Sequence, residues 1–203
     1  MSKSRQQKKP LVLIGGGGHC KSCIDVIEAA GGWEILGILD QSERRGEKVL
    51  GHPIVGDDDQ TQHFVAEGAF FLVSIGQIKT AVHRRRAYAR VKDAGGEFAT
   101  IISPLAYVSP SAVVGEGSIV MHRALVNSNA VVGHNAIINT MALVEHDAWV
   151  GSHCHVSTAA IVNGDARIGT GSFVGSNSVV VHGASVAKGA FVPAGSLYRQ
   201  RKK

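Results

Sequence analysis

The chain predicts two unlike parts in series: a small α/β domain with a parallel sheet, then an all-β parallel β-helix. Two patterns carry that reading. Through the first hundred residues, short apolar runs alternate with a helical spacing of apolar residues, punctuated by glycine. From residue 102 a β-branched residue stands at every sixth position, from Ile102, Val108 and Val114 to Val186 and Val192, without exception. Two residues before each, from Val108 onward, stands only Ala, Ser or Cys. Neither the helix period of about 3.6 nor the strand period of 2 generates a repeat of six. One apolar knob and one small residue per short strand can be buried only by stacking coil on coil.

The elements follow in order. "PLVLI" is an apolar strand, "GGGGH" a turn, and "CKSCIDVIEAA" a helix stopped by Gly31-Gly32; "WEILGILD" is a second strand ending at Asp40. "GHPIVGD" makes a short strand and turn, "AFFLVSIG" a buried parallel strand, and "IKTAVHRRRAYARVKDAGG" a helix closed by glycine. Residues 10–99 therefore form a doubly wound α/β unit and residues 100–197 the β-helix, flanked by basic tails at 1–9 and 198–203.

The net charge of +5 points to no nucleic-acid partner once it is located. Lys3, Arg5, Lys8 and Lys9, with Arg199, Arg201, Lys202 and Lys203, supply eight positive charges at the two ends. The body between them carries 13 basic and 16 acidic residues, and no basic stripe runs along an element. There is no apolar run of about 18 residues and no signal-peptide core, which predicts a cytoplasmic protein without a membrane span. Three cysteines, Cys20, Cys23 and Cys154, cannot close a disulfide framework and fit a reducing compartment. Cys20 and Cys23 form a lone C-x-x-C with no second pair to complete a zinc site.

Two motifs carry chemistry. In "GGGGH" the glycines open the start of a helix, where backbone N–H groups and the helix dipole favour a phosphate. The dinucleotide fingerprint fails there, because Cys20 stands where its last glycine would be. In "NTMALVEHDAWVGSHCHVS" His146 is followed directly by Asp147. An imidazole whose pKa is ordinarily about 6.5 is suited to take a proton near neutrality, and a carboxylate on its other nitrogen fixes the tautomer and raises its basicity.

A glycine turn followed by His in a small Rossmann-like domain, fused ahead of hexapeptide repeats, resembles the left-handed β-helix sugar acetyltransferases. The likeness is to the N-acetyltransferases of bacillosamine and perosamine synthesis and the related sialic acid O-acetyltransferases, and it runs from about residue 11 to 197. It implies a left-handed helix of about five triangular coils, a homotrimer with active sites between subunits, and a role in glycan biosynthesis. It further implies acetyl-CoA as co-substrate, a nucleotide-linked amino sugar as acceptor, and no metal. On matching positions, Gly17, Gly18 and His19 would meet the diphosphate and sugar, Asp40 the nucleoside, and Gly76 and Asn139 the substrate. His146 would be the base and Asp147 its partner, where the bacillosamine enzymes have Glu. His155, Ser176 and Ala194 would contact acetyl-CoA. Gln41 stands where the family often has a second acidic residue.

Competing readings remain at this level. His122, His134, His146 and His182 all occupy the position two after the apolar row, so a decorative corner histidine is one alternative. Residues 146 and 182, two coils apart, are expected to be roughly 10 Å from each other. His153 and His155 would lie on one side of a strand, as in zinc carbonic anhydrases of this architecture, but that group's five-residue histidine spacing is absent. O-acetylation of a sialic-acid-like sugar and a non-catalytic nucleotide-sugar-binding scaffold are the other functions left open.

Overall fold

A computed structural model describes residues 8–200. The N-terminal part is a six-stranded sheet built from β1 (Lys9–Ile14), β2 (Trp33–Leu39), β3 (Lys48–Val49), β4 (His52–Gly56), β5 (Phe70–Val73) and β6 (Glu97–Phe98). Its order is β3-β4-β2-β1-β5-β6, and all neighbours are parallel except β3 and β4. Strand order reverses at β1, which pairs with β2 on one side and β5 on the other. The crevice beyond the carboxyl ends of these three strands is where an open parallel sheet leaves room for a ligand. Helix α1 (Gly18–Ala30) starts in that crevice and buries Cys20, Cys23, Ile24, Val26 and Ile27, the face that the sequence spacing marks. It ends at Gly31, whose φ of 67° suits glycine and whose N–H reaches the Ile27 carbonyl. A short helix α2 (Thr61–Ala66), which the sequence reading passed over, and α3 (Val82–Asp93) complete the layer.

The tail boundary needs correcting at both ends. Lys9 is the first residue of β1, with its ammonium 5.8 Å from the Trp33 ring and 5.5 Å from the Phe70 ring. Tyr198 closes the last strand, Leu197–Tyr198, and its hydroxyl donates to the Ser185 carbonyl. Chain pairing and ring contacts outweigh local basicity at these positions. Lys3, Arg5, Arg201, Lys202 and Lys203 lie outside the described residues. Among the described residues no helix is long and apolar enough to cross a membrane.

From Ile101 on, two-residue strands follow one another every six residues and sort into three parallel sheets of six, six and five strands. The first face carries 101–102, 119–120, 137–138, 155–156, 173–174 and 191–192; the second begins with 107–108 and the third with 113–114. Each strand pairs with the one 18 residues on, as Leu125 does with Leu143 and Val131 with Trp149. The β-branched row and the small residues form one continuous buried core from Val120 to Val192. Each fully buried Val or Ile contributes about 1.5–3 kcal/mol. The first coil is the exception: Ile102 is 40% exposed and Val108 and Val114 are half-buried, because no coil lies before them to cover them.

Corner residues explain which side chains project. From Gly117 onward the third residue after each inward one takes a left-handed conformation, as at Asn129, Met141, Asp147 and His153, with φ of 56°, 60°, 60° and 59°. Asn, Asp and Gly tolerate that backbone and are frequent there. The N-terminal domain docks on the first face, where α1 residues pack with Ile101, Ile119, Ile137 and Met121. A fully buried Arg84 from α3 ties the junction: it donates to the carbonyls of Val73 and Ile75 and to the carbonyl and side chain of Asn135.

Candidate active site

A cavity of about 1120 Å³ lies in the crevice beyond β1, β2 and β5 and reaches the first face of the β-helix. Gly17, Gly18, His19, Asp40, Gly76 and His155 all line it. Gly17 precedes α1 with no side-chain cap, so the first N–H groups of the helix face the cavity without a protein partner from that residue. Alanine carbons at Gly17 or Gly18 would meet nothing within 4 Å, which leaves the approach to those N–H groups open.

Asp40 is more tightly engaged than the sequence suggests. Its Oδ2 accepts the Gly16 N–H and an Arg44 Nη1–H, both at 2.6 Å, and its Oδ1 accepts the Gln41 N–H. It locks the glycine turn and holds Arg44 at the cavity wall. Gly76 lies against His19, with an added Cβ 3.3 Å from that side chain.

His155 closes the cavity floor. Its Nδ1–H donates to the Gln77 carbonyl at 2.8 Å, leaving Nε2 to accept from Asn139 Nδ2 at 3.0 Å. Burial pushes the pKa of His155 down to about 4 and that of His19 to about 3, so both are neutral at pH 7. Their rings lie 6.0 Å apart. His153 does not share this side. Its left-handed turn aims it at the third corner, where Nδ1 meets Asn135 and the ring packs on Tyr88 and His134. Among the described residues, no group of three or more His, Cys, Asp or Glu side chains is placed to hold a metal.

His146 and Asp147 occupy another corner of the prism, between the second and third faces. His146 Nδ1 meets Asp147 Oδ2 at 2.9 Å, and both side chains are 55% exposed. That hydrogen bond, helped by the charges of Asp147 and Glu145, raises the His146 pKa above its ordinary value, and the same bond lowers that of Asp147. The left-handed backbone at 147 lets a carboxylate this short turn back onto its neighbour. With Nδ1 so engaged, Nε2 is the nitrogen free to take a proton. Asn139, Ser176 and Ala194 stand at a third location, the corner between the first and second faces, where Ser176 Oγ meets Ser157 Oγ at 3.0 Å. One chain therefore brings Gly17, Gly18, His19, Asp40, Gly76 and His155 to one cavity, and Asn139 joins them from its corner only through its hydrogen bond to His155. The chain holds His146 and Asp147 apart from that cavity.

Residues 10–91 match the PglD N-terminal domain family. The whole architecture matches perosamine N-acetyltransferase from Caulobacter crescentus, in a variant solved with CoA and GDP-perosamine. Identity is 33% and the TM-score 0.88, with 95% of this chain and 89% of that chain covered. The chain belongs to the hexapeptide-repeat sugar acetyltransferases. The acetyltransferase domain of PglB from Neisseria gonorrhoeae, solved with acetyl coenzyme A, is 30% identical at a TM-score of 0.86, covering 93% of this chain and 90% of that one. In sequence, this acetyltransferase is 29% identical over 117 residues to UDP-N-acetylbacillosamine N-acetyltransferase of Bacillus subtilis, and 33% identical over 108 residues to protein L142 of Acanthamoeba polyphaga mimivirus. It spans about half of the former and a fifth of the latter.

Three residues of this acetyltransferase escaped the sequence reading. Gln77 bridges the parts of the molecule, its Nε2 donating to the Gly171 carbonyl at 3.0 Å while its own carbonyl holds His155. Gln77 directly follows Gly76 in the sequence, but nothing local marks its side chain as a bridge. Arg44 lies in a charged turn after β2 and Arg84 in a basic run of α3, and nothing local distinguishes the buried Arg84 from its exposed neighbours.

Proposed function

We propose that this acetyltransferase moves an acetyl group from acetyl-CoA to the amino group, at C4, of a nucleotide-linked amino-dideoxy sugar. The observation that carries the reading is the His146–Asp147 pair, an imidazole held through Nδ1 with Nε2 exposed. The amine nitrogen attacks the thioester carbonyl while His146 Nε2 takes one of its protons; Asp147 stabilises the imidazolium that forms. The C–S bond then breaks, and the proton passes from His146 to the departing sulfur. A backbone N–H at the β-helix corner would hold the oxyanion. No covalent acyl-enzyme is required, since both substrates meet in one cleft.

The nucleotide sugar fits the cavity, with its diphosphate on the uncapped start of α1 and its sugar toward His19, Gly76 and the Asn139–His155 pair. Because His146 stands on a different corner from the cavity, the base is supplied to it by a neighbouring subunit of a trimer. The second face supports that assembly. Its outward side chains are Tyr107, Leu125, Leu143, Ile161, Val179 and Leu197, an unbroken apolar ladder, with Tyr107 55% and Leu197 50% exposed. His155, Ser176 and Ala194 are assigned to acetyl-CoA on the same reading, with His155 positioned to serve the sugar as well. Cys20, Cys23 and Cys154 are buried and unpaired, in keeping with a cytoplasmic reaction.

The test is coenzyme A release with UDP-, dTDP- and GDP-linked 4-amino-4,6-dideoxy sugars. Release with one of them, mirrored by a 4-acetamido product, is expected. Thiol release only with hydroxyl acceptors would move the assignment to O-acetylation, and none at all from an intact trimer would favour a binding scaffold.

A further inference from the structure

His146 is not alone at its corner. Residues 146, 164 and 182 occupy one position in three successive coils, 18 residues apart. Two coil steps at about 4.8 Å each would separate their side chains by roughly 10 Å. The rings of His146 and His182 instead lie 6.5 Å apart, tilted at 43°. They lean together because the residue between them is Gly164. Of all positions two after the inward row, from Pro104 to Ala194, it is the one glycine. Its backbone does not require glycine, since its φ lies outside the left-handed range, so space is what it supplies. A Cβ there would stand 2.8 Å from His146 Nε2 and 3.1 Å from His182 Nδ1. The two nitrogens accordingly lie no more than about 6 Å apart, the span of two hydrogen bonds of about 2.9 Å to one shared atom.

Resting on the proposed acetyl transfer to an amine, we infer that His182 is a second catalytic-site imidazole that, with His146, clamps the attacking amine nitrogen over Gly164 and selects an amine over a hydroxyl. A primary amine offers a lone pair and two N–H bonds. The lone pair forms the N–C bond to the thioester carbonyl carbon as the C–S bond breaks. One proton passes to His146 Nε2 and on to sulfur. The other N–H stays on nitrogen, donates to His182 Nδ1 throughout, and remains in the product amide. A hydroxyl has one O–H, which the base consumes, so His182 Nδ1 is left without a donor. A site built to accept a substrate N–H discriminates against the analogue that cannot supply it.

The experiment compares wild type, His182→Ala, His182→Asn and Gly164→Ala, each confirmed as the wild-type oligomer by light scattering. It reads kcat/KM for the amino sugar and the inhibition constant of the matching 4-hydroxy sugar. His182→Ala is expected to lower kcat/KM by about 10- to 100-fold while the inhibition constant of the hydroxy sugar stays within about twofold. His182→Asn, whose amide oxygen can accept the same N–H, recovers part of the loss. Gly164→Ala pushes the His146 ring aside and lowers kcat by at least about tenfold. An unchanged kcat/KM in His182→Ala, or an equal loss in both readouts, overturns the inference. A wild type that acetylates no amino sugar overturns the proposed function itself, and this inference with it.

Discussion

His146 and His155 lie nine residues apart, half a coil along the β-helix, and their surroundings are opposite. His146 follows a strand by two positions, projects from a corner, is 55% exposed on its side chain, and bonds a carboxylate that raises its pKa. His155 precedes an inward valine, faces outward from mid-strand, and is covered by the N-terminal domain, whose burial of the ring drives its pKa down to about 4. The hexad thus sets direction, and the docked domain sets environment. On the proposed function the difference teaches a division of labour: the histidine proposed to change protonation state stands where charge is tolerated, and the one proposed to hold a fixed hydrogen-bonding pattern is kept neutral.

Removing the corner imidazole should break that contrast most severely. His146→Ala is expected to lower kcat by about 10²–10⁴, measured as thiol release, with nucleotide-sugar binding retained. Asp147→Asn keeps a residue that tolerates the left-handed turn yet removes the charge. A loss of about 10- to 100-fold in kcat is expected. Because Asp147 raises the His146 pKa and the base works only when neutral, activity rises with pH through that pKa; in Asp147→Asn the acid limb of kcat/KM should therefore move to lower pH.

The cavity histidines sharpen the comparison from the other side. Unfolded histidines take up protons near pH 6.5, whereas folded His155 and His19 refuse them until about pH 4 and 3. The unfolded state binds more protons between those values, so stability falls as pH drops from about 6.5 toward 4, by on the order of 3 kcal/mol for a group such as His155. Urea unfolding at pH 7 and pH 4.5 should show this, and His155→Gln should flatten the dependence. A smaller effect is expected of Gln77→Ala. It removes the Nε2–H bonds to the Gly171 and Ser172 carbonyls but keeps the backbone carbonyl that holds His155, loosening the junction beside the cavity and raising KM for the sugar by about three- to tenfold with little change in kcat.

Much of this was legible in the chain. The sixfold row from Ile102 to Val192 dictated the coils because no other architecture buries such a row, and the glycine turn before His19 marked the helix start that opens the cavity. His146 and Asp147 were legible as neighbours with complementary chemistry. What escaped shares a physical cause, contact between residues remote in sequence. Arg84 meets Asn135 across 51 residues and Gln77 meets Gly171 across 94, and no local pattern encodes either. The expected 10 Å between residues 146 and 182 failed for a subtler reason: strand spacing fixes backbones, but Gly164 lets the rings tilt together. His153 and His155 likewise diverge because a left-handed corner, not the alternation of a strand, directs the former.

The central claim is that the base at one subunit's corner serves the cavity of its neighbour, and mixed trimers test it most directly. One chain would carry His146→Ala and the other Gly17→Trp, whose side chain enters the cavity from a position with open space around it. Each homotrimer should be inactive. In a closed ring of randomly mixed chains, about a quarter of the interfaces pair an intact base with an intact cavity, so about a quarter of wild-type activity should return. Mixed trimers that form but stay as inactive as their parents would place base and cavity in the same chain and contradict the account.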